Sequence, residues 1–389
     1  MNEGIRFMVI KNADVYTEEG IFVPKDIYIK GDCFAESGEN ADDRWEVDAS
    51  GCYAIPALTD IHFHGCSGFD FSDGTTAAID AMAAYQASVG VANMVPATMT
   101  LPEDMLLKIC EAARTYAEED RENRKDRARL RGIHMEGPFI APGKKRAQSG
   151  AHIRKPDTAL FDRLNEASGG LIRILTIAPE QEGAMELIER RHSGVIISLG
   201  HTSADYDLSM EAFEKGASHV THLYNAMNPL LHRAPGLIGA AADRGDVSVE
   251  IICDGIHVHP ATVRTAFKIF GDDRIIFVSD SMRATGLEDG EYLLGGQMVK
   301  VRRNHAFLPD RTLAGSVTSL LNCMRRAVLE MGIPLESAVK CAAVNPARRI
   351  GIYGECGSIS PGKKADVVLL KKEGLELQQA ILGGEPVQR

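Results

Sequence analysis

Between residues 58 and 279 the chain alternates apolar strand-like runs with helical stretches, and no other feature constrains its fold as much. The strand candidates are 58–63, 91–96, 131–135, 172–177, 195–199, 217–222, 248–253 and 274–279. Helical stretches at 75–89, 103–119, 158–167, 183–192, 205–215 and 260–270 separate them, and two more follow at 317–331 and 335–343. Asp157 and Ser203 are expected to cap two of these helices. Eight strands alternating with helices predict an α/β protein built as a (β/α)8 TIM-like barrel. An open doubly wound sheet is disfavoured, because no G-x-G-x-x-G follows the first strand.

The two chain ends read differently. Residues 7–16 and 27–30 look like short strands, and a Gly- and Pro-containing turn at 357–362 leads into an apolar run at 367–370. Chain termini commonly lie close together. The ends are therefore expected to form one small β-sandwich domain from residues 1–56 and 351–389, with 57–350 as the catalytic barrel. A length of 389 residues suits one barrel plus such an appendage.

Apolar content of 44% and charged content of 25% are those of a globular protein with a large core. A net charge of −11 argues against nucleic acid or an anionic membrane as partner. No apolar run reaches membrane-spanning length. The 8 cysteines form no CxxC pair, which suggests reduced thiols. Together with an N-terminus that lacks the look of a signal peptide, this predicts a cytoplasmic protein.

In such a barrel the catalytic groups sit at the carboxyl ends of the strands. Those ends carry His62 and His64, then Glu136, His201, His222 and Asp280, with His257 just beyond the seventh strand. His62 and His64 share one face by strand alternation. Imidazole and carboxylate together suit Zn²⁺ or another first-row divalent ion, such as Fe²⁺ or Mn²⁺. Glu136, His201 and His222 are expected to form one His₂Glu site, and His62 and His64 could hold a second ion. Asp280 is the remaining strand-end acid, available as general base or, more blandly, as a helix cap. Past His222, Asn225 and the Ala226 backbone can hydrogen-bond a ligand, and Arg233 offers an anion-binding guanidinium.

These motifs resemble the amidohydrolase superfamily. More closely, His134-Met135-Glu136-Gly137-Pro138-Phe139, Leu199-Gly200-His201-Thr202, His222-Leu223-Tyr224-Asn225-Ala226-Met227, Asp254-Gly255-Ile256-His257, Val278-Ser279-Asp280-Ser281-Met282 and Leu313-Ala314-Gly315-Ser316 are similar to the N-acetylglucosamine-6-phosphate deacetylase family. The resemblance implies metal-dependent hydrolysis of the acetamide of N-acetylglucosamine 6-phosphate, giving glucosamine 6-phosphate and acetate. It implies that Glu136, His201 and His222 bind the catalytic metal and that Asp280 acts as base and then acid. It implies that His257 contacts a sugar hydroxyl and that Asn225, the Ala226 backbone and Arg233 hold the phosphate. In the family that arginine comes from the neighbouring subunit, which implies a homodimer.

The family position twelve residues past the glutamate, often histidine, is Gln148 here, and His152 lies close by. Either could reach the acetyl oxygen. Glutamine cannot become cationic, so a second ion on His62 and His64 is expected to polarise that oxygen, with Gln148 in support. Two further departures surround the first strand: Pro56-Ala57 where Pro-Gly is usual, and Thr59 where an apolar residue is usual. The basic run Lys144, Lys145 and Arg146 reads as a solvated loop, or alternatively as an electrostatic lure for phosphate. Competing readings are a deacetylase of N-acetylgalactosamine 6-phosphate, and a different amidohydrolase acting on a cyclic amide or a purine. A non-catalytic metabolite-binding barrel is a third; the intact metal set and Asp280 speak against it.

Overall fold

Eight short parallel strands carry the middle of the chain: β1 (Leu58–Asp60), β2 (Val91–Met94), β3 (Ile133–Glu136), β4 (Ile172–Ile177), β5 (Ile196–Leu199), β6 (His219–Val220), β7 (Ser248–Ile252) and β8 (Ile275–Val278). This computed structural model describes residues 7–37, 44–119 and 126–388. Strands β3 to β8 pair in order, all parallel. Strand β2 pairs with β1 on one side and with Arg129–Leu130, just before β3, on the other. A parallel bridge between Ala97 and His134 ties this group to β3. At the other edge the Asp280 N–H donates to the His62 carbonyl at 2.9 Å, and the His64 N–H donates to the Ser281 carbonyl at 2.7 Å. The sheet is thus curled, with the ends of its first and last strands together.

The strands are apolar because helices cover one side and the curl encloses the other. Ile61, Val95, Ile174, Ile252, Ile276 and Val278 form an enclosed cluster of their own, separate from the larger core under the helices. Strand β4 and the helix Thr158–Ala167 match the expected bounds, and Asp157 caps that helix by accepting from the Ala159 N–H at 2.8 Å. Ser203 is not a cap. Asp205, two residues nearer the helix start, accepts from the Leu208 N–H at 2.9 Å, while the Ser203 N–H turns to Glu180. Strand β6 is shorter than expected because the chain turns sharply at His222, whose φ is 30°.

Two elements lie outside the expected alternation. The helix Gly236–Asp243 has its first six residues buried, so it shows no polar face to mark its period. After β8, strands Gly290–Leu294, Gln297–Arg302 and His305–Phe307 form an antiparallel ribbon. Its alternation of exposed and buried residues marks a half-buried sheet.

Both chain ends enter one eight-stranded sheet. Val367–Lys371 pairs antiparallel with Cys52–Pro56, which itself pairs parallel with Phe7–Tyr16. Ile10, Val15, Ile29, Ala54, Val367 and Ile381 belong to the apolar cluster of this sheet. The sheet is fastened to the curled strands by a buried ion pair. Arg129, beside β2, forks onto Asp366 with Nη1–Oδ2 at 2.6 Å and Nη2–Oδ1 at 3.1 Å. The Gly383 N–H donates to the same carboxylate at 2.8 Å.

Removing one partner of a buried pair strands the other charge, which costs about 3–5 kcal/mol. Asp366→Ala should therefore lower stability by about that amount in chemical unfolding, whereas Arg129→Met with Asp366→Leu should recover most of the loss. Equal stability of Asp366→Ala and the parent would show that the pair does not hold the sheet to the barrel strands.

Candidate active site

The carboxylate of Glu136, at the end of β3, is the centre of the site and is buried. Its Oε1 lies 3.1 Å from Nε2 of His201 and 3.0 Å from Nε2 of His222, and the two imidazole nitrogens are 3.1 Å apart. Its Oε2 lies 3.3 Å from Nε2 of His64 and accepts from the Gln148 side-chain amide at 2.6 Å. Nε2 of His62 is 3.5 Å from Oε1. Across His64 sits Asp280, with Oδ1 at 3.3 Å from Nε2 of His64 and 3.7 Å from that of His62.

The outer nitrogens of three of these rings are fixed by acceptors. Nδ1 of His201 donates to the Lys144 carbonyl at 2.8 Å, that of His62 to Glu250 at 2.8 Å, and that of His64 to the Ala97 carbonyl at 3.2 Å. A proton held on Nδ1 leaves Nε2 as the inward atom, free to bind a metal once its own proton is lost, as in metal-binding histidines. Nε2 of His62 is buried and has no hydrogen-bond partner among the described residues. Among the described residues three triads have their ligand atoms within 4.8 Å of one another: Glu136 with His201 and His222, Glu136 with His62 and His64, and, beneath them, His62 with His134 and Glu250. Tetrahedral ligands about 2.0–2.1 Å from a zinc ion stand roughly 3.4 Å apart. The residues present fit a divalent cation.

Electrostatics follow the same layout. Burial alone would raise the Glu136 carboxyl, but the imidazoles of His62 and His201 outweigh it and hold it well below the usual carboxylate range. Burial likewise opposes ionisation of Asp280, yet the hydrogen bond from His64 and the charge of His62 keep it low. Asp280 is therefore an anion at neutral pH. Glu250, within β7, is fully buried, and His62 and His219 hold its carboxyl down against desolvation.

The backbone is strained where the side chains must turn inward. His201, His222 and Asp280 take φ values of 47°, 30° and 47°, a region that non-glycine residues seldom occupy. At His222 the N–H is held by Glu250 at 3.1 Å. At Asp280 the neighbouring segment closes in: the Ser316 N–H donates to the Asp280 carbonyl at 2.8 Å, and a Cβ on Gly315 would lie 2.8 Å from that same oxygen. Only glycine fits there.

The cavity above this floor is walled by Tyr224, Asn225 and Ala226 on one side and by Leu313 and Ala314 on another. His257 lines it too. Its Nδ1 donates to Asp254 at 2.7 Å and its Nε2 to the Ala314 carbonyl at 2.8 Å. Burial opposes a charge on this ring, but Asp254 outweighs it and raises the pKa. Gln148 lines the cavity with its Oε1 accepting from the Thr100 N–H at 2.6 Å. His152, on the turn Gly150–His152, is not among the lining residues. Arg233 also lies outside the cavity of its own chain, exposed beside His232 on the hairpin closed by Leu231 and Ala234.

The amidohydrolase family model matches residues 53–387. The chain belongs to the amidohydrolase family. Within it, this chain is similar to an N-acetylglucosamine-6-phosphate deacetylase of Bacillus subtilis, with 38% identity over 82% of this chain and 81% of the relative. An N-acetylgalactosamine-6-phosphate deacetylase of Escherichia coli O157:H7 is 34% identical over 85% of this chain and 86% of its own length. Among solved structures, an N-acetyl-D-glucosamine-6-phosphate deacetylase from Mycobacterium smegmatis, in complex with N-acetyl-D-glucosamine-6-phosphate, superposes with a TM-score of 0.88 at 30% identity. That match covers 99% of this chain and 100% of the other.

Sequence reasoning passed over Glu250, although a carboxylate within the apolar run Ser248–Ile252 was a signal. It accepts from His62, His219 and the His222 backbone. Outer partners of this kind are worth about 10–100-fold in metal affinity. Glu250→Gln should weaken metal retention by about that factor in a chelator titration followed by elemental analysis. Unchanged retention would make Glu250 a purely structural group.

Proposed function

We propose that this chain hydrolyses the acetamide of N-acetylglucosamine 6-phosphate, releasing acetate and glucosamine 6-phosphate. The observation that carries this reading is the cluster of Glu136, His201 and His222 with ionised Asp280 beside it, at the floor of a cavity walled by Asn225 and Ala226. The strand curl supports a closed (β/α)8 barrel over residues 57–350. The shared terminal sheet supports a small β-sandwich domain from 1–56 and 351–389.

Glu136, His201 and His222 would hold one divalent ion, and His62 and His64 with Glu136 a second. Zinc suits these donors best, and Fe²⁺ or Mn²⁺ would also fit. When bound, the metal supplies the Lewis acidity that makes water a nucleophile near neutral pH and stabilises charge on the acetyl oxygen. Asp280 takes the proton from the attacking water as the new C–O bond forms. It then delivers that proton to the amide nitrogen as the C–N bond breaks, so acetate and the free amine leave. Gln148 keeps one amide N–H beyond its bond to Glu136, available to the acetyl group.

His257 would orient a sugar hydroxyl. Asn225 and the Ala226 N–H would hold the phosphate with Arg233 from a second copy of the chain. The exposed hairpin supports a homodimer, since Leu230 and Leu231 beside Arg233 are 45% and 53% exposed. Free cysteines throughout support a reducing, cytoplasmic setting.

Acetate release from a panel of N-acetylated amino sugars, with and without phosphate and in gluco and galacto forms, tests the reading. Turnover should be highest on N-acetylglucosamine 6-phosphate and should vanish on metal removal; a preference for the galacto epimer would move the assignment to that sugar. Asp280→Asn should cost roughly 10²–10⁴-fold in kcat with metal still bound. Arg233→Ala should raise KM for the phosphorylated sugar alone, because a guanidinium forks onto phosphate oxygens. Equal losses on both forms would remove Arg233 from phosphate recognition.

A further inference from the structure

We propose that Arg146 is a substrate-binding residue, a cation supplied in cis to the phosphate group within the catalytic cavity. The inference rests on the deacetylase reading and deepens it. The basic run Lys144 to Arg146 is not a uniformly solvated loop. Lys144 turns its carbonyl to His201 and its ammonium to the Met227 carbonyl at 3.3 Å, whereas Arg146 lines the cavity. Among the described residues that line it, Arg146 is the only lysine or arginine.

The acetamide must reach Asp280 and the Glu136 cluster at the cavity floor. The phosphate must therefore sit at the far end, toward the mouth. Arg233 of the same chain is not there. Arg146 is exposed, and its guanidinium has no hydrogen-bond or ion-pair partner among the described residues. A planar fork without a partner among the described residues, on an exposed residue that lines the cavity, matches two phosphate oxygens.

The backbone under this side chain is held in place. Arg146 has φ 47°, uncommon for a non-glycine residue and a pointer to function when the surroundings enforce it. On one side, Lys144 is fixed through His201. On the other, Gln148 is fixed through Glu136 at 2.6 Å, and the Ala147 carbonyl accepts from Gln297 at 2.5 Å. The root of Arg146 is thus tied from both sides to residues that would hold the metal.

The test uses Arg146→Gly, which tolerates the positive φ, and Arg146→Lys, which keeps the charge without the fork. Both are compared with the parent, metal-loaded, on N-acetylglucosamine 6-phosphate and on unphosphorylated N-acetylglucosamine. Arg146→Gly should raise KM for the phosphorylated sugar about tenfold, the worth of one charge-assisted contact, with kcat nearly constant. KM for the unphosphorylated sugar should stay unchanged, and Arg146→Lys should fall between. Calorimetric binding of glucosamine 6-phosphate should weaken in parallel. Equal changes on both sugars, or none on the phosphorylated one, overturn the role of Arg146. Absence of turnover in the parent would overturn the deacetylase reading instead, and the calorimetry would still decide the contact.

Discussion

Glu136 is a carboxylate removed from water, and the site is arranged around that fact. A buried anion is tolerated only when cations or donors surround it. Here His62, His64, His201, His222 and Gln148 all converge on it, from β1, β5, β6 and the loop after β3. They come from four separate returns of the chain, His62 and His64 sharing one. The curl of the sheet is what makes such a convergence geometrically available. Because two of the triads share Glu136, its two oxygens face in different directions, one toward His201 and His222 and the other toward His64.

Beneath this centre lies a second polar layer. Glu250 accepts from His62 and His219, His134 bonds Thr176 at 2.7 Å, and Thr221 joins Thr176 and Ser198 at 2.7 and 2.5 Å. Most of these groups find partners in one another, which limits the cost of burying them. Below them the interior turns apolar with Ile61, Val95, Ile174 and Ile252. The sheet interior therefore grades from hydrocarbon through a hydrogen-bonded polar layer to the Glu136 cluster. This gradient holds the imidazoles rigidly and lets the strained backbone at His201, His222 and Asp280 persist.

Much of this was legible in the sequence because periodicity and strand-end chemistry are local signals. The run 172–177 and the helix from Thr158 could be bounded to the residue, and the histidines and acids stood at strand ends where they could be counted. Other parts were hidden for physical reasons. Gly236–Asp243 is buried almost all round and so has no amphipathic period. The ribbon 290–307 is half-buried by a surface that only tertiary packing creates. Glu250 lies within an apolar strand, and its partners are 28 to 188 residues away. Ser203 lost its capping role to Asp205 through a shift of two positions.

Gln148 shows how one side chain can settle the division of labour in such a site. Its carbonyl is taken by the Thr100 N–H and one amide hydrogen by Glu136. A histidine there could become cationic and carry part of the charge that develops on a scissile carbonyl. A glutamine cannot, and this one leans toward Glu136 instead. Its contribution is to orient the carboxylate and to offer one neutral hydrogen bond. The buried Nε2 of His62, without a hydrogen-bond partner among the described residues, stands beside Glu136 and Asp280 in a group that could hold a cation.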